Sequence, residues 1–408
     1  MFTRRRIVAT LPALLALPRF VSHPAKAQSF VSRFSKKPVA APPPTFVYIG
    51  TDTAKGVARG IYLSRFDSAN GQLTSPILVA PTLRPAFLAL SLPTAGKRRL
   101  YAANEGTGAD ATLSSFLIDP AVGTLKLINQ VSSGGAGPCY VSLDGTGEAA
   151  FVANYSGSSI ATYRVLPSGA LSEPVERIDY KDPKFGKRGP NARQDVPHPH
   201  SVHLSPDNRF LIVNDLGSDE ISVFPIDHAT ARLGPPALFS SDRPGTGPRH
   251  IVFHPNGRWV YSINELDSTI DHFLWTTTRS ASSPQGLLVN TGLNVKTIAS
   301  DFPVARNTAA EVAVSQDGKF LYASNRGEDS LVVFSVAASD GALTLIQRTS
   351  CGGKTPRHFT LDPSGRWLVC ANQDSASITV FRRDNASGRI GGPVQTLALD
   401  SPMFALFA

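Results

Sequence analysis

Apolar residues in this chain come in short runs that break at polar turns, the spacing of many short strands rather than of long helices. One unit recurs. Pro199-His-Ser-Val-His-Leu204 is followed by the turn Ser205-Pro-Asp-Asn208 and then by Phe210-Leu-Ile-Val-Asn214. The same pattern joins Pro85–Leu90 to Arg99–Asn104, Pro138–Leu143 to Ala150–Asn154, and Pro248–Phe253 to Trp259–Asn264. It also joins Ala309–Val314 to Phe320–Asn325 and Pro356–Leu361 to Trp367–Asn372. The intervening tetrapeptides, such as His254-Pro-Asn-Gly257 and Asp362-Pro-Ser-Gly365, are hairpin turns by composition. Each copy continues into a third strand, as in Ile221–Phe224 or Leu331–Phe334, and past a glycine turn into a fourth, as in Gly341–Ile346. Four short antiparallel strands at a period of roughly 50 residues predict a β-propeller blade.

Six copies are complete, and the two chain ends supply a seventh. Phe46–Ile49, Ile61–Phe66 and Leu73–Ala80 match the second to fourth strands, and Pro402–Phe407 matches the first, innermost one. The expected fold is therefore all-β: a seven-bladed propeller of four-stranded antiparallel blades over residues 46–408. The C-terminal strand pairs into the N-terminal blade and closes the ring, which removes the exposed joint between first and last blades.

In a blade, the loop entering the innermost strand and the loop leaving the second strand open on one face. Two columns of the repeat are thus functional candidates. The first reads Ala86, Cys139, His200, Arg249, Ala310, Arg357 and Met403; the second reads Asp52, Glu105, Tyr155, Asp215, Glu265, Arg326 and Gln373. The asparagine before the second column recurs in six blades, and its short amide is expected to bond local backbone at the strand end. Nothing in blade packing demands charge at the variable positions. His200, Arg249, Glu265 and Arg326 come from three consecutive blades and should converge on the channel mouth. The plainer alternative is a Glu265–arginine ion pair without chemistry, but two arginines around one carboxylate leave positive charge for an anionic ligand.

The fourth blade alone has an irregular lead-in, Gly189-Pro-Asn-Ala-Arg-Gln-Asp-Val-Pro-His198, which adds Arg193, Gln194 and His198 as candidate substrate contacts. His250 and His358 are expected to pack or bond within their own blades, and His203 and His254 to be structural.

Composition sharpens this only in places. Gly (33) and Pro (32) are frequent and only 17% of residues are charged, consistent with many turns. The formal charge of +9 hints at a polyanion partner, but Arg4, Arg5, Arg6, Arg19 and Lys26 precede residue 28 with no acid among them, leaving +4 for the rest. No basic run with interleaved aromatics follows, so nucleic acid is not an expected partner. Residues 1–27 read as an export leader: paired arginines, an apolar stretch from Ile7 to Leu17, and the small-x-small site Ala25-Lys-Ala27. The arrangement resembles a twin-arginine signal, with a Sec-type leader as the alternative. Residues 28–45, with the run Pro42-Pro-Pro44, read as a flexible linker. The mature protein is expected in the periplasm or outside the cell, as a monomer, with no membrane attachment once the leader is removed. Cys139, Cys351 and Cys370 are odd in number and imply no disulfide framework. There is neither a Gly-x-Ser-x-Gly elbow nor an HExxH motif, and no cofactor or metal is expected.

At Arg193-Gln194, Pro197-His-Pro-His200, Asn214-Asp-Leu-Gly217, Gly247-Pro-Arg-His250, Asn264-Glu-Leu266 and Ser324-Asn-Arg-Gly327, the chain resembles the seven-bladed lactonase family, named for the propeller type of 6-phosphogluconolactonase. The resemblance runs from about Phe46 to the C-terminus. It implies a lactonase whose active site falls on His200 and Glu265 as catalytic groups, with Arg249 and Arg326 binding a lactone or sugar-derived anion. One departure is the export leader, which points to an unphosphorylated sugar lactone or another cyclic ester. Two other readings are carried: a carboxy-muconate cycloisomerase using the same residues on a dicarboxylate, and a non-catalytic exported propeller binding a protein or glycan.

Overall fold

The computed structural model describes residues 45–93, 96–186, 188–241, 243–278 and 285–408. The leader over 1–27 and the linker over 28–45 lie outside these residues, apart from Thr45, which opens the first strand. The described chain forms seven antiparallel sheets, each a blade. The ring closes as expected: Pro402–Phe407 is the innermost strand of blade 1 and pairs with Thr45–Thr51, in the register Tyr48↔Leu406 and Gly50↔Phe404. Blades 2 to 7 begin at the innermost strands Pro85–Leu90, Pro138–Leu143, Pro199–Leu204, Pro248–Phe253, Thr308–Val314 and Pro356–Leu361. The outer edge departs from expectation in blade 1, where the strand predicted over 73–80 is broken into Gln72–Leu73 and Ile77–Pro81.

The core lies between blades. The second strand of each blade is sandwiched on both faces, so successive residues, which point to opposite sides, are buried along nearly its whole length. In Trp259–Asn264, Tyr261 and Ile263 pack toward blade 6 with Leu321 and Val332, while Val260 packs toward blade 4 with Ile212 and Val223. This two-sided burial explains the continuous apolar runs in these strands. A second device ties neighbours together. The hydroxyls of Tyr48, Tyr101, Tyr261 and Tyr322 donate to the carbonyls of Gly123, Gly169, Gly341 and Gly388, each in the outer turn of the next blade, at 2.7–3.0 Å. The ring seam has an analogue in Trp367 Nε1–H, which donates to Ser68 O at 2.9 Å.

The recurring asparagine is structural, with a partner farther away than the strand end. Asn154, Asn325 and Asn372 donate to the carbonyls of Ser133, Thr297 and Cys351, on the segments that arrive from the preceding blade. They pin the loops that enter the site face. The three cysteines are buried and unpaired.

Candidate active site

Six of the seven innermost strands contain the same irregularity. The ladder skips one residue directly after the first: Ala86, Cys139, His200, Arg249, Arg357 and Met403 lie at the slips in blades 2, 3, 4, 5, 7 and 1. Blade 6 slips between Ala309 and Val312. A bulge re-aims the extra side chain and is common beside functional sites. Here it turns the first candidate column toward the channel mouth.

Glu265 is the hub. Its side chain is 1% exposed and is met by three guanidinium groups. Arg249 Nε lies 2.9 Å and Arg326 Nη2 2.7 Å from Oε2, while Arg193 Nη1 bonds Oε1. His200 Nε2 is 3.9 Å from the same Oε2. Arg249 and Arg326 are anchored by carbonyls: Arg249 Nη1 donates to Ala310 O at 2.6 Å, and Arg326 Nη2 to Ala309 O at 3.2 Å. Arg193 is the outer member, with 44% of its side chain exposed, and donates from Nη2 to the Tyr155 hydroxyl at 3.0 Å.

The electrostatics follow from this packing. Burial pushes the Glu265 carboxyl up, but Arg326, Arg249 and Arg193 together outweigh it and hold the group well below the usual carboxylate range. Burial, then Arg249 and His250, drive His200 well below an ordinary histidine, so its imidazole is neutral at pH 7. Its Nδ1 is buried without a hydrogen-bond partner. Burial and the Arg326 charge pull Arg249 down to about 9.

The lead-in places its three candidates differently. Arg193 reaches the hub. Gln194 is fully buried; its Oε1 accepts from Asn191 N at 3.0 Å, and its Nε2 donates to Leu216 O and Asp219 Oδ1, both at 2.8 Å. It braces the loop rather than facing a ligand. His198 stacks on Tyr155 at 4.2 Å, with its ring nitrogens facing Tyr155 O and Asp195 Oδ1 at 2.9 and 3.1 Å. Gln194 and His198, expected as substrate contacts, have their polar atoms engaged by the loop and the residues packed against it, whereas Arg193 extends to the hub. Asp215 supports the same loop by accepting from the amides of His198 and Gly217 at 2.6 and 2.9 Å. Gly217 is required there by close approach: a Cβ would lie 2.0 Å from Val196 O.

Sequence reasoning singled out neither Arg357 nor its partners, although the columns contain them. Arg84 bridges Asp52 (2.9 Å) and Glu105 (3.3 Å) on the far side of the mouth. Arg357 Nη2 approaches Glu105 only to 3.9 Å. His250 contacts Arg249 of its own blade, as expected, but both His250 and His358 also reach across to Glu311 of blade 6. Among the described residues, no group of three or more His, Cys, Asp or Glu side chains is placed to hold a metal ion. Larger hollows exist elsewhere, one of about 870 Å³ along Gln347, Arg366 and Arg389, but its lining contains no histidine.

Residues 46–407 match the family model described as "Lactonase, 7-bladed beta-propeller". A protein of Formosa agariphila named 6-phosphogluconolactonase is 33% identical over 87% of this chain and 97% of its own length. One of the same name from Bacillus subtilis is 29% identical over 88% and 97%. The solved structure of a periplasmic gluconolactonase from Pseudomonas aeruginosa superposes with a TM-score of 0.79 at 32% identity, covering 89% of this chain and 99% of that one. The bulged strands, the guanidinium-ringed carboxylate and this end-to-end similarity lead to one assignment: the chain belongs to the seven-bladed β-propeller lactonase family.

Proposed function

We propose that the protein hydrolyses a sugar-type δ-lactone by water attack on the ring carbonyl. The observation that carries this is Glu265, buried and ringed by Arg193, Arg249 and Arg326, with the neutral His200 3.9 Å away. Held ionised by three cations, Glu265 is a poor proton acceptor. Burial, Arg249 and Arg326 also disfavour protonated His200, and what gives it the base role is its uncommitted Nδ1 lone pair, with the Glu265 carboxylate 3.9 Å from its Nε2. It removes a proton from water as the oxygen bonds the carbonyl carbon, and Glu265 stabilises the imidazolium that forms. When the ring C–O bond breaks, His200 returns the proton to the departing ring oxygen, leaving a hydroxy acid. Such acid–base assistance supplies typically about 10²–10⁴-fold. Arg249 and Arg326 face the developing oxyanion, where loss of one donor costs on the order of 10²–10³ in rate. Arg193, the exposed member, closes over the substrate from the loop.

The test is loss of glucono-δ-lactone and its 6-phospho form, measured above spontaneous opening, with wild type, His200→Asn, Glu265→Gln and Arg326→Ala. Losses of at least about 10²-fold for His200→Asn are expected. Equal turnover in all four proteins removes these residues from the chemistry. The leader-like N-terminus and the Pseudomonas relative support an unphosphorylated substrate outside the cytoplasm. Cleavage near Ala27 and recovery of the protein in a periplasmic fraction test the location. The guanidinium surplus also suits the carboxylates of a muconate-type substrate; cycloisomerisation assayed in parallel separates the two.

A further inference from the structure

One residue beyond the bulge, the innermost strands close the channel with a floor. Phe87, Tyr140 and Phe404 form its apolar half, with ring centroids 3.7 and 4.1 Å from Phe87. His250, Glu311 and His358 form the other half, and Phe87 lies edge-on to both imidazoles at 6.2 Å. A carboxylate buried among aromatic rings is costly unless it is hydrogen-bonded. Glu311 has neither lysine nor arginine among its ion-pair partners in the described residues; it has the two imidazoles, and its Oε1 also accepts from Val312 N–H at 3.0 Å.

We propose that Glu311 is a positioning residue for the mouth above it: it fixes the tautomer and tilt of His250, and His250 holds the Arg249 guanidinium against Glu265. The inference rests on the hydrolytic reading of that mouth. His250 Nδ1 lies 3.1 and 3.3 Å from the two Glu311 oxygens, and a carboxylate only accepts, so Nδ1 carries the hydrogen. Arg249 Nη1 lies 3.2 Å from Nε2 and 3.3 Å from Nδ1, so the guanidinium rests against the neutral imidazole, whose only ring lone pair is then on Nε2, and Arg249 Nε lies 2.9 Å from Glu265. A carboxylate–imidazole–guanidinium–carboxylate chain thus runs from floor to mouth. His358 supports it from the other side. Its Nδ1 accepts from Ala405 N–H at 3.4 Å, so its neutral ring presents Nε2–H to Glu311, 3.5 Å away. The backbone gives way to aim Glu311 here: its N–H donates to the Ser324 hydroxyl at 3.1 Å, and the ladder resumes only at Val312.

In Glu311→Gln, the new amide N–H₂ can face His250 Nδ1 and favour the Nε2–H tautomer, which sets two donors against each other at Arg249. Imidazole ¹⁵N NMR of the full-length protein reads this directly. His250 is expected as Nδ1–H in wild type and shifted toward Nε2–H in Glu311→Gln, with Glu311→Asp retaining the wild-type tautomer. On δ-lactone, Glu311→Gln should lower kcat on the order of 10–100-fold, the scale found when the carboxylate that orients a metal-ligating histidine is removed. KM should stay nearly constant, Glu311→Asp should recover much of the loss, and the same change in an Arg249→Lys background should add little. Nε2–H in wild type, or equal losses in both backgrounds, overturns the proposal. A wild type that opens no lactone sinks the hydrolytic reading instead, and the NMR comparison still decides whether Glu311 governs His250.

Discussion

Glu265→Gln probes the charge balance of the mouth more sharply than any activity assay. The carboxylate is the shared counter-ion of Arg193, Arg249 and Arg326, two of them anchored to carbonyls of blade 6 and unable to swing out to water. A carboxamide leaves those cations facing one another. Removing one partner of a buried ion pair typically costs about 3–5 kcal/mol. At ~2.1 cal/mol/K of unfolding entropy per residue, across a propeller of this length, the melting midpoint falls by about 4–7 °C at pH 7. The pH dependence follows from the sign of the shift. Because the arginines hold Glu265 below an ordinary glutamate, its stabilisation is complete above the unfolded-state value of ~4.3. It is lost as pH falls through the folded-state value. The gap between wild type and variant should therefore be constant from neutral pH to about 5 and narrow only in stronger acid. Thermal unfolding followed by circular dichroism at stepped pH measures both features. Added phosphate should raise the midpoint of the variant more than that of wild type, because an anion bound only by the folded state replaces the lost counter-charge. A midpoint unchanged by the substitution at pH 7, with a parallel acid limb, would refute the idea that the carboxylate neutralises this cluster.

Three further outcomes follow from the geometry. Arg357→Gln should weaken competitive inhibition by inorganic phosphate roughly 10-fold or more, the worth of a hydrogen bond to a charged group, since its guanidinium meets Glu105 only at 3.9 Å. Inhibition constants for both proteins check this, and identical values exclude Arg357 from anion binding. Tyr261→Phe removes the 2.7 Å latch to Gly341 and should cost about 1 kcal/mol of stability, read from denaturant midpoints, without altering kcat. Gly217→Ala should displace the lead-in at Val196 and so lower activity, while Gly257→Ala, whose Cβ meets nothing and whose only strain is the positive φ of a distant turn, should cost some stability but not activity; similar activities in the two would show that the lead-in does not shape the site.

The ring was legible because every blade solves one packing problem with the same residues. The buried second strand, its terminal asparagine and the turn that precedes it repeat closely enough for strand positions to be read from the copies. Which residues gather at the mouth was legible too, since His200, Arg249, Glu265 and Arg326 break a pattern that packing alone would keep apolar or neutral. Hydrogen-bond commitments were not. Gln194 and His198 are the residue types that bind sugars, and only the positions of Leu216, Asp219 and Tyr155 reveal that their polar atoms are already engaged.

The floor was missed for a geometric reason. In a regular strand, consecutive side chains point to opposite faces, so a column reading assigns one residue per strand to the channel and its neighbour to the blade interface. The bulge breaks that alternation. It lets Arg249 face the mouth while His250, the next residue, lines the channel directly below, and it does the same for Ala310 and Glu311. The clue was present one residue past Ala86, Cys139, Met403, Arg249, Ala310 and Arg357, where Phe87, Tyr140 and Phe404 face His250, Glu311 and His358. A carboxylate between two imidazoles has no packing reason to replace an aromatic ring. The slip in register that seats the mouth residues therefore also sets the floor within hydrogen-bonding reach of Arg249, and ties the two layers into one network.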